Sequence, residues 1–178
     1  MNENEERGLT VIFTGPGKGK TTAALGVAFR ALGHGYRCKI IQFIKSKGKT
    51  GELILAERLA PQMEIIQTGL GFTWLKEHDP EEHRLAAQAG LRVAQEVLEQ
   101  GDCKVVVLDE ILYALGKSLV TLDDVIGLVG KKQPHTHLIL TGRGAPPELV
   151  AMADMVTTME AVKHPYQAGI PAQKGLDF

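Results

Sequence analysis

LTVIFTGPGKGKTTAALG, residues 9–26, decides the fold. LTVIFT is apolar at nearly every position, as a strand buried on both faces requires, and a helical pattern runs from Lys20 to Leu32 and stops at Gly33. Between them lie Gly15, Gly17 and Gly19, then Lys20 and Thr21. Glycines in a strand-to-helix turn let backbone N–H groups converge on phosphate oxygens; the helix N-terminus adds a favourable dipole, the lysine a point charge, and the Thr hydroxyl an oxygen for Mg²⁺. The letters alone also fit a simple glycine turn, but strand, GKGKTT and helix in succession favour a phosphate loop. Residues Gly15, Pro16, Gly17, Lys18, Gly19, Lys20, Thr21 and Thr22 are therefore the expected cradle for a triphosphate. The loop is one residue short, because only Pro16, Gly17 and Lys18 separate Gly15 from Gly19 where the usual pattern has four residues.

Outward from this turn, short apolar runs alternate with helical patterns. Residues 9–14, 38–44, 63–68, 104–109, 137–141 and 155–159 read as strands, several of them apolar on both faces. The clearest helix is predicted from Asp79 to Gln100, with Asp79 as cap, Pro80 in the first turn, Glu82 completing a capping box and Gly101 at the end. Leu85, Ala89, Val93 and Val97 are predicted to form its sheet-facing stripe. Repeated strand-helix-strand order predicts a three-layer α/β fold with a mostly parallel sheet of about six strands and ligands at the strands' carboxyl ends. The expected organisation is one nucleotide-binding domain over residues 1–178, with a polar arm at 1–7 and an irregular tail at 164–178 lying over the surface.

The 20 basic and 21 acidic residues leave a formal charge of −1, and no run of like charges reaches five. Such a surface does not suit nucleic acid as the main partner. The polar start MNENEERG is unlike a targeting peptide, and no apolar run is long enough to span a membrane, so a cytoplasmic location is expected. Cys38 and Cys103 lack CxxC spacing and read as small core residues, and none of the six histidines shows metal-ligand spacing.

Four further stretches bear on chemistry. VVVLDE (105–110) is a hydrophobic strand ending in Asp109 and Glu110, which can approach Mg²⁺ where it meets Thr21; an ordinary acidic helix start reads the same way when taken alone. LTGR (140–143) ends another strand with Arg143, suited to a phosphate or an acidic substrate group, or to a structural ion pair. Lys45 follows its strand in the same way. GLGFTWLKEHDP (69–80) holds the chain's single Trp, Trp74, beside Phe72; the pair either plugs the core or walls a large flat ligand.

GPGKGKTTAALGVAFRALGHG, IIQFIK, GFTW, VVVLDE, LTGRGAP and the tail KHPYQAGIPAQKGLDF, in this order and spacing, resemble the P-loop type of ATP:corrinoid adenosyltransferase. The resemblance covers roughly residues 8–178 and rests most on GFTW and AQKG, which P-loop proteins at large do not share. It implies a P-loop NTPase-like (RecA-like) fold in which ATP lies reversed, so that the ribose 5′-carbon rather than the γ-phosphorus faces a reduced Co(I) corrinoid and triphosphate leaves. It assigns Lys20 to the leaving group and Thr21 and Glu110 to Mg²⁺. Phe72 and Trp74 would exclude the lower axial ligand of cobalt, and Lys45 and Arg143 would contact phosphate or corrinoid. A reduced flavoprotein donor and a homodimer are also implied. Two departures stand out: Pro16, which lacks an N–H, replaces a residue that is commonly Asn, and only about a dozen residues precede the loop. A P-loop kinase or phosphohydrolase acting at the γ-phosphate, and a non-catalytic carrier of nucleotide or corrinoid, are the competing readings.

Overall fold

The structure, a computed structural model, describes residues 7–46, 48, 50–75 and 77–178. Apart from Arg7, the expected N-terminal arm lies outside the described residues. Among the described residues the elements are six strands and six α-helices: β1 (Thr10–Thr14), α1 (Lys20–Gly33), β2 (Cys38–Gln42), α2 (Gly51–Leu59), β3 (Met63–Gln67), α3 (Pro80–Gln100), β4 (Val105–Asp109), α4 (Ile111–Gly116), α5 (Leu122–Lys131), β5 (His137–Thr141), α6 (Pro147–Met152) and β6 (Met155–Thr158). The strands form one sheet in the order β3-β2-β4-β5-β1-β6, and every neighbouring pair is parallel.

Alternation along the strands divides the core into two layers. Val106 and Leu108 of β4 face α3, α4, α5 and α6, whereas Val105 and Val107 face α1 and α2. Small residues bring α1 close to the sheet: Ala24, Ala28 and Ala31 are buried at helical spacing on the face that also carries Lys20. Because all strands run the same way, Thr14, Gln42, Asp109 and Thr141 end at one edge of the sheet, and the loops after them meet there.

Helix α3 has the expected capping box: Asp79 accepts from Glu82 N while the Glu82 carboxylate accepts from Asp79 N, and Gly101 closes it with a φ of 67°. Its buried stripe matches the predicted one only in part: Val97 is buried and Val93 packs against the core, but the inward face is rotated. His83, Ala87, Gly90, Leu91, Ala94, Val97 and Leu98 face inward, while Leu85 is 55% exposed. Close packing decides the rotation, because a Cβ at position 90 would lie 2.7 Å from the Thr68 hydroxyl and 2.8 Å from the Phe43 ring. Cys38 and Cys103 are buried and unpaired, and burial pushes their thiols up to about 12 and about 11.

Candidate active site

The turn between β1 and α1 places a row of unpaired donors at the carboxyl edge of the sheet. Gly17 donates its N–H to Met159 O at 2.7 Å, and a Cβ at position 15 or 17 would collide with the Met159–Glu160 backbone. These two glycines thus let the loop lie against the chain leaving β6. Among the described residues, none of the amides of residues 18–22 is hydrogen-bonded within the chain; the first helical amide with a partner is Ala23 N, on Gly19 O at 2.7 Å. Five successive free amides at a helix N-terminus form a concave, positively polarised cradle for an anion.

Lys20 is only 7% exposed and folds back over this cradle, its Nζ donating to Gly17 O at 2.7 Å and Gly15 O at 3.1 Å. Burial lowers its pKa, Glu110 opposes that shift, and Arg143 reinforces it. An arriving polyphosphate would give this ammonium the opposite charge that the two carbonyls provide only in part.

A carboxylate network faces the loop. Asp109, 1% exposed at the end of β4, accepts from the Thr21 hydroxyl at 2.7 Å and the Thr141 hydroxyl at 2.8 Å on one oxygen, and from Gln42 Nε2 at 3.3 Å on the other. The Thr21 proton is thereby engaged behind the site, leaving its oxygen lone pairs for the cavity. Glu110 has φ 61°, a left-handed conformation that a non-glycine residue holds at a cost, and its N–H donates to Thr141 Oγ1 at 2.8 Å. That turn swings the Glu110 carboxyl into the cavity while Asp109 stays behind it. Burial first, then the neighbouring Asp109 charge, raises the Glu110 pKa against the pull of Lys20, Arg143 and Lys45.

These groups line a cavity of about 670 Å³ that continues to an aromatic end. There Phe72 and Trp74 stack with ring centroids 4.0 Å apart and planes 16° apart. Tyr113 of α4 meets both rings edge-on, and its hydroxyl lies 2.8 Å from Thr73 Oγ1. Arg143, on the turn after β5, lines the cavity and makes no ion pair among the described residues. Lys45 also lines it but is tied to Glu52 of α2, whose carboxyl burial pushes up and the Lys45 bond and charge bring down below its usual value.

Of the residues singled out in the sequence, Pro16, Gly17, Gly19, Lys20, Thr21, Thr22, Lys45, Phe72, Trp74, Glu110 and Arg143 line one cavity, whereas Gly15 and Asp109 are not among its lining residues. Lys18 also borders it, but its ammonium pairs with Asp177. That contact belongs to the C-terminal tail, which turns back so that residues 175–178 form a wall opposite the loop. No local pattern in the tail announces this return.

Among the described residues no three His, Cys, Asp or Glu side chains converge to hold a metal on their own. Thr21 and Glu110 offer oxygen donors to the cavity, which suits a Mg²⁺ held together with substrate phosphates and water, whereas Asp109, expected as a further donor, stands behind Thr21 with both carboxylate oxygens already accepting.

Comparison with known proteins adds to this geometry. The family model for ATP:corrinoid adenosyltransferase BtuR/CobO/CobP matches residues 6–178. The chain is 40% identical over 174 residues to a corrinoid adenosyltransferase of Pseudomonas aeruginosa, covering 98% of this chain and 85% of that relative. It is 38% identical to the corrinoid adenosyltransferase CobA of Salmonella typhimurium, with 98% and 87% covered. Among solved structures it resembles the flagellar accessory protein FlaH of Methanocaldococcus jannaschii (TM-score 0.59, 14% identity, 86% of this chain and 71% of that one). A KaiC-like protein of Pyrococcus horikoshii gives a TM-score of 0.54 at 19% identity, with 86% and 72% covered. These two likenesses establish the P-loop NTPase-like fold alone.

Proposed function

Because the chain belongs to the ATP:corrinoid adenosyltransferase family, we propose that it transfers the 5′-deoxyadenosyl group of ATP to the Co(I) centre of a reduced corrinoid and releases triphosphate. The observation that carries this reading is one cavity with an anion cradle at one end and a stacked aromatic pair at the other. A hydrolase that passes the γ-phosphate to water needs no second substrate site of this kind.

Triphosphate in the amides of residues 18–22 directs the ribose away from the loop, toward Phe72 and Trp74. The electron pair of Co(I) forms the Co–C bond to the 5′-carbon, the C–O bond breaks, its pair leaves on triphosphate, and cobalt ends formally as Co(III). Lys20 stabilises the charge that grows on the leaving oxygens, with Arg143 available at the rim. Thr21 and Glu110, with Asp109 orienting the Thr21 hydroxyl, would hold Mg²⁺, which neutralises phosphate charge when bound. Pro16 offers no N–H, so that position contributes shape rather than a hydrogen bond.

Phe72 and Trp74 carry no atom that ligates cobalt well. Seated against the corrinoid they would exclude a lower ligand and water, which favours reduction of Co(II) to Co(I) and protects the nucleophile. The electron would come from a reduced flavoprotein. The proposed setting is cytoplasmic and the proposed assembly a homodimer, with residues 1–178 acting as one nucleotide-binding domain; no helix among the described residues is long and apolar enough to cross a membrane.

Anaerobic incubation with ATP, Mg²⁺ and chemically reduced cobalamin tests the reaction. Loss of the Co(I) spectrum with one equivalent of triphosphate is the expected result. Formation of ADP and phosphate with Co(I) unchanged would overturn it in favour of chemistry at the γ-phosphate.

A further inference from the structure

Tyr113 belongs to neither the phosphate loop nor the GFTW segment, yet all three residues 72–74 meet it. Its ring centroid lies 5.4 Å from that of Phe72 and 6.0 Å from that of Trp74, both in edge-on arrangement, and its hydroxyl is 2.8 Å from Thr73 Oγ1. The Lys117 ammonium sits 5.8 Å from the Tyr113 ring centre, a cation–π contact that further restrains the ring.

The two partners differ in how firmly they are held. Tyr113 rides on α4, where Ile111 and Leu112 are fully buried and Gly142 approaches so closely that a Cβ there would lie 2.9 Å from Tyr113 N. The GFTW segment leaves the sheet edge through Gly71, with φ 93°, and Gly71 N donates to Ile44 O at 2.8 Å. Beyond that tether, Phe72 is 36% and Trp74 59% exposed. Ring-edge contacts alone tolerate sliding; a hydroxyl-to-hydroxyl hydrogen bond is directional and fixes where the segment stops.

We infer that Tyr113 is a positioning residue: its hydroxyl latches Thr73 and so sets the height and tilt of the Phe72–Trp74 stack. The latch stands on geometry alone, whereas its catalytic consequence rests on the proposed role of that stack toward a corrinoid. Tyr113 also stands three residues from Glu110 on one rigid turn, so the aromatic wall and the metal-facing carboxylate share a mounting.

The single tryptophan makes the latch measurable, because indole fluorescence reports Trp74 alone. In Tyr113→Phe, which keeps the ring, and in Thr73→Val, on an exposed segment where folding is not at stake, acrylamide quenching of Trp74 should rise about twofold. Thr73→Ser, which keeps a hydroxyl, should quench like the unaltered protein, and the double variant should quench no more than either single one. The ratio of adenosylation starting from Co(II) cobalamin with dihydroflavin to that starting from chemically reduced Co(I) cobalamin should fall about fivefold in Tyr113→Phe and Thr73→Val. Unchanged quenching in both variants would overturn the latch. Raised quenching with an unchanged ratio would uphold the latch and overturn the corrinoid role of the stack.

Discussion

The two ends of the cavity are built to different standards. At the cradle end Lys20, Thr21 and Asp109 are attached to the sheet edge or to a helix start, and their polar atoms are cross-braced: Asp109 alone accepts from Thr21, Thr141 and Gln42. At the aromatic end Trp74 stands on a short 3₁₀ turn, Thr73–Leu75, with Phe72 just before it, and the segment is fastened at its base to Ile44 and at its crest to Tyr113. The first arrangement suits an ion of fixed shape whose charge must be met without reorganisation. The second suits a broad macrocycle that must enter before it is gripped, so some freedom of the wall is a requirement of access.

If the contrast is right, injuries to the two ends should differ in kind. Lys20→Ala should lower kcat/KM by about 10²–10³-fold whether the assay starts from Co(I) or Co(II), because the leaving group is common to both. A rate near that of the unaltered protein would remove Lys20 from the leaving-group role. Phe72→Ala combined with Trp74→Ala should depress the Co(II)-initiated assay about tenfold more than the Co(I)-initiated one; equal losses would make the rings structural.

A pH series sharpens the rigid side. Glu110 must be ionised to bind Mg²⁺, and its pKa is raised above the ordinary 4.5, so Mg²⁺ affinity should be fully present above that raised value and be lost as pH falls through it. The expected change is about threefold over the one pH unit centred on the raised pKa, and Glu110→Gln should abolish it; calorimetric titration with Mg²⁺ and ATP checks both. The smallest effect belongs to Lys18→Ala. Its partner Asp177 sits in the tail and the pair is partly exposed, so the urea unfolding midpoint should stay close to that of the unaltered protein, and a clear fall would mean that the tail braces the loop.

What the sequence could and could not announce follows the same division. Strand β1, the turn and α1 are one continuous local signal, and the acidic end of β4 repeats it, so the elements that build the cradle end of the cavity were legible from adjacent letters. Asp79, Pro80, Glu82 and Gly101 likewise bounded α3 correctly, because caps act within one turn. The stripe of α3 was read only in part, with Val93 and Val97 on the core side but Leu85 outside, because Gly90 packs on Phe43 and Thr68, two residues remote in sequence, and a helix with several small residues admits more than one inward face. The contact of Gly17 with Met159, the return of Asp177 to Lys18 and the Thr73–Tyr113 bond are long-range, and no periodicity encodes them. GFTW was conspicuous as a motif, but its partner was not.

The two buried cysteines have a practical corollary. With thiols pushed to about 12 and about 11, roughly one molecule in ten thousand or fewer carries a thiolate at neutral pH, and alkylating or disulfide reagents react with the thiolate. The fold is therefore chemically silent toward such reagents while it stays closed. A cysteine placed on the tail or beside Gly71 could be given a spin label or dye without first removing Cys38 and Cys103, and distances between the two walls of the cavity could then be followed through a turnover.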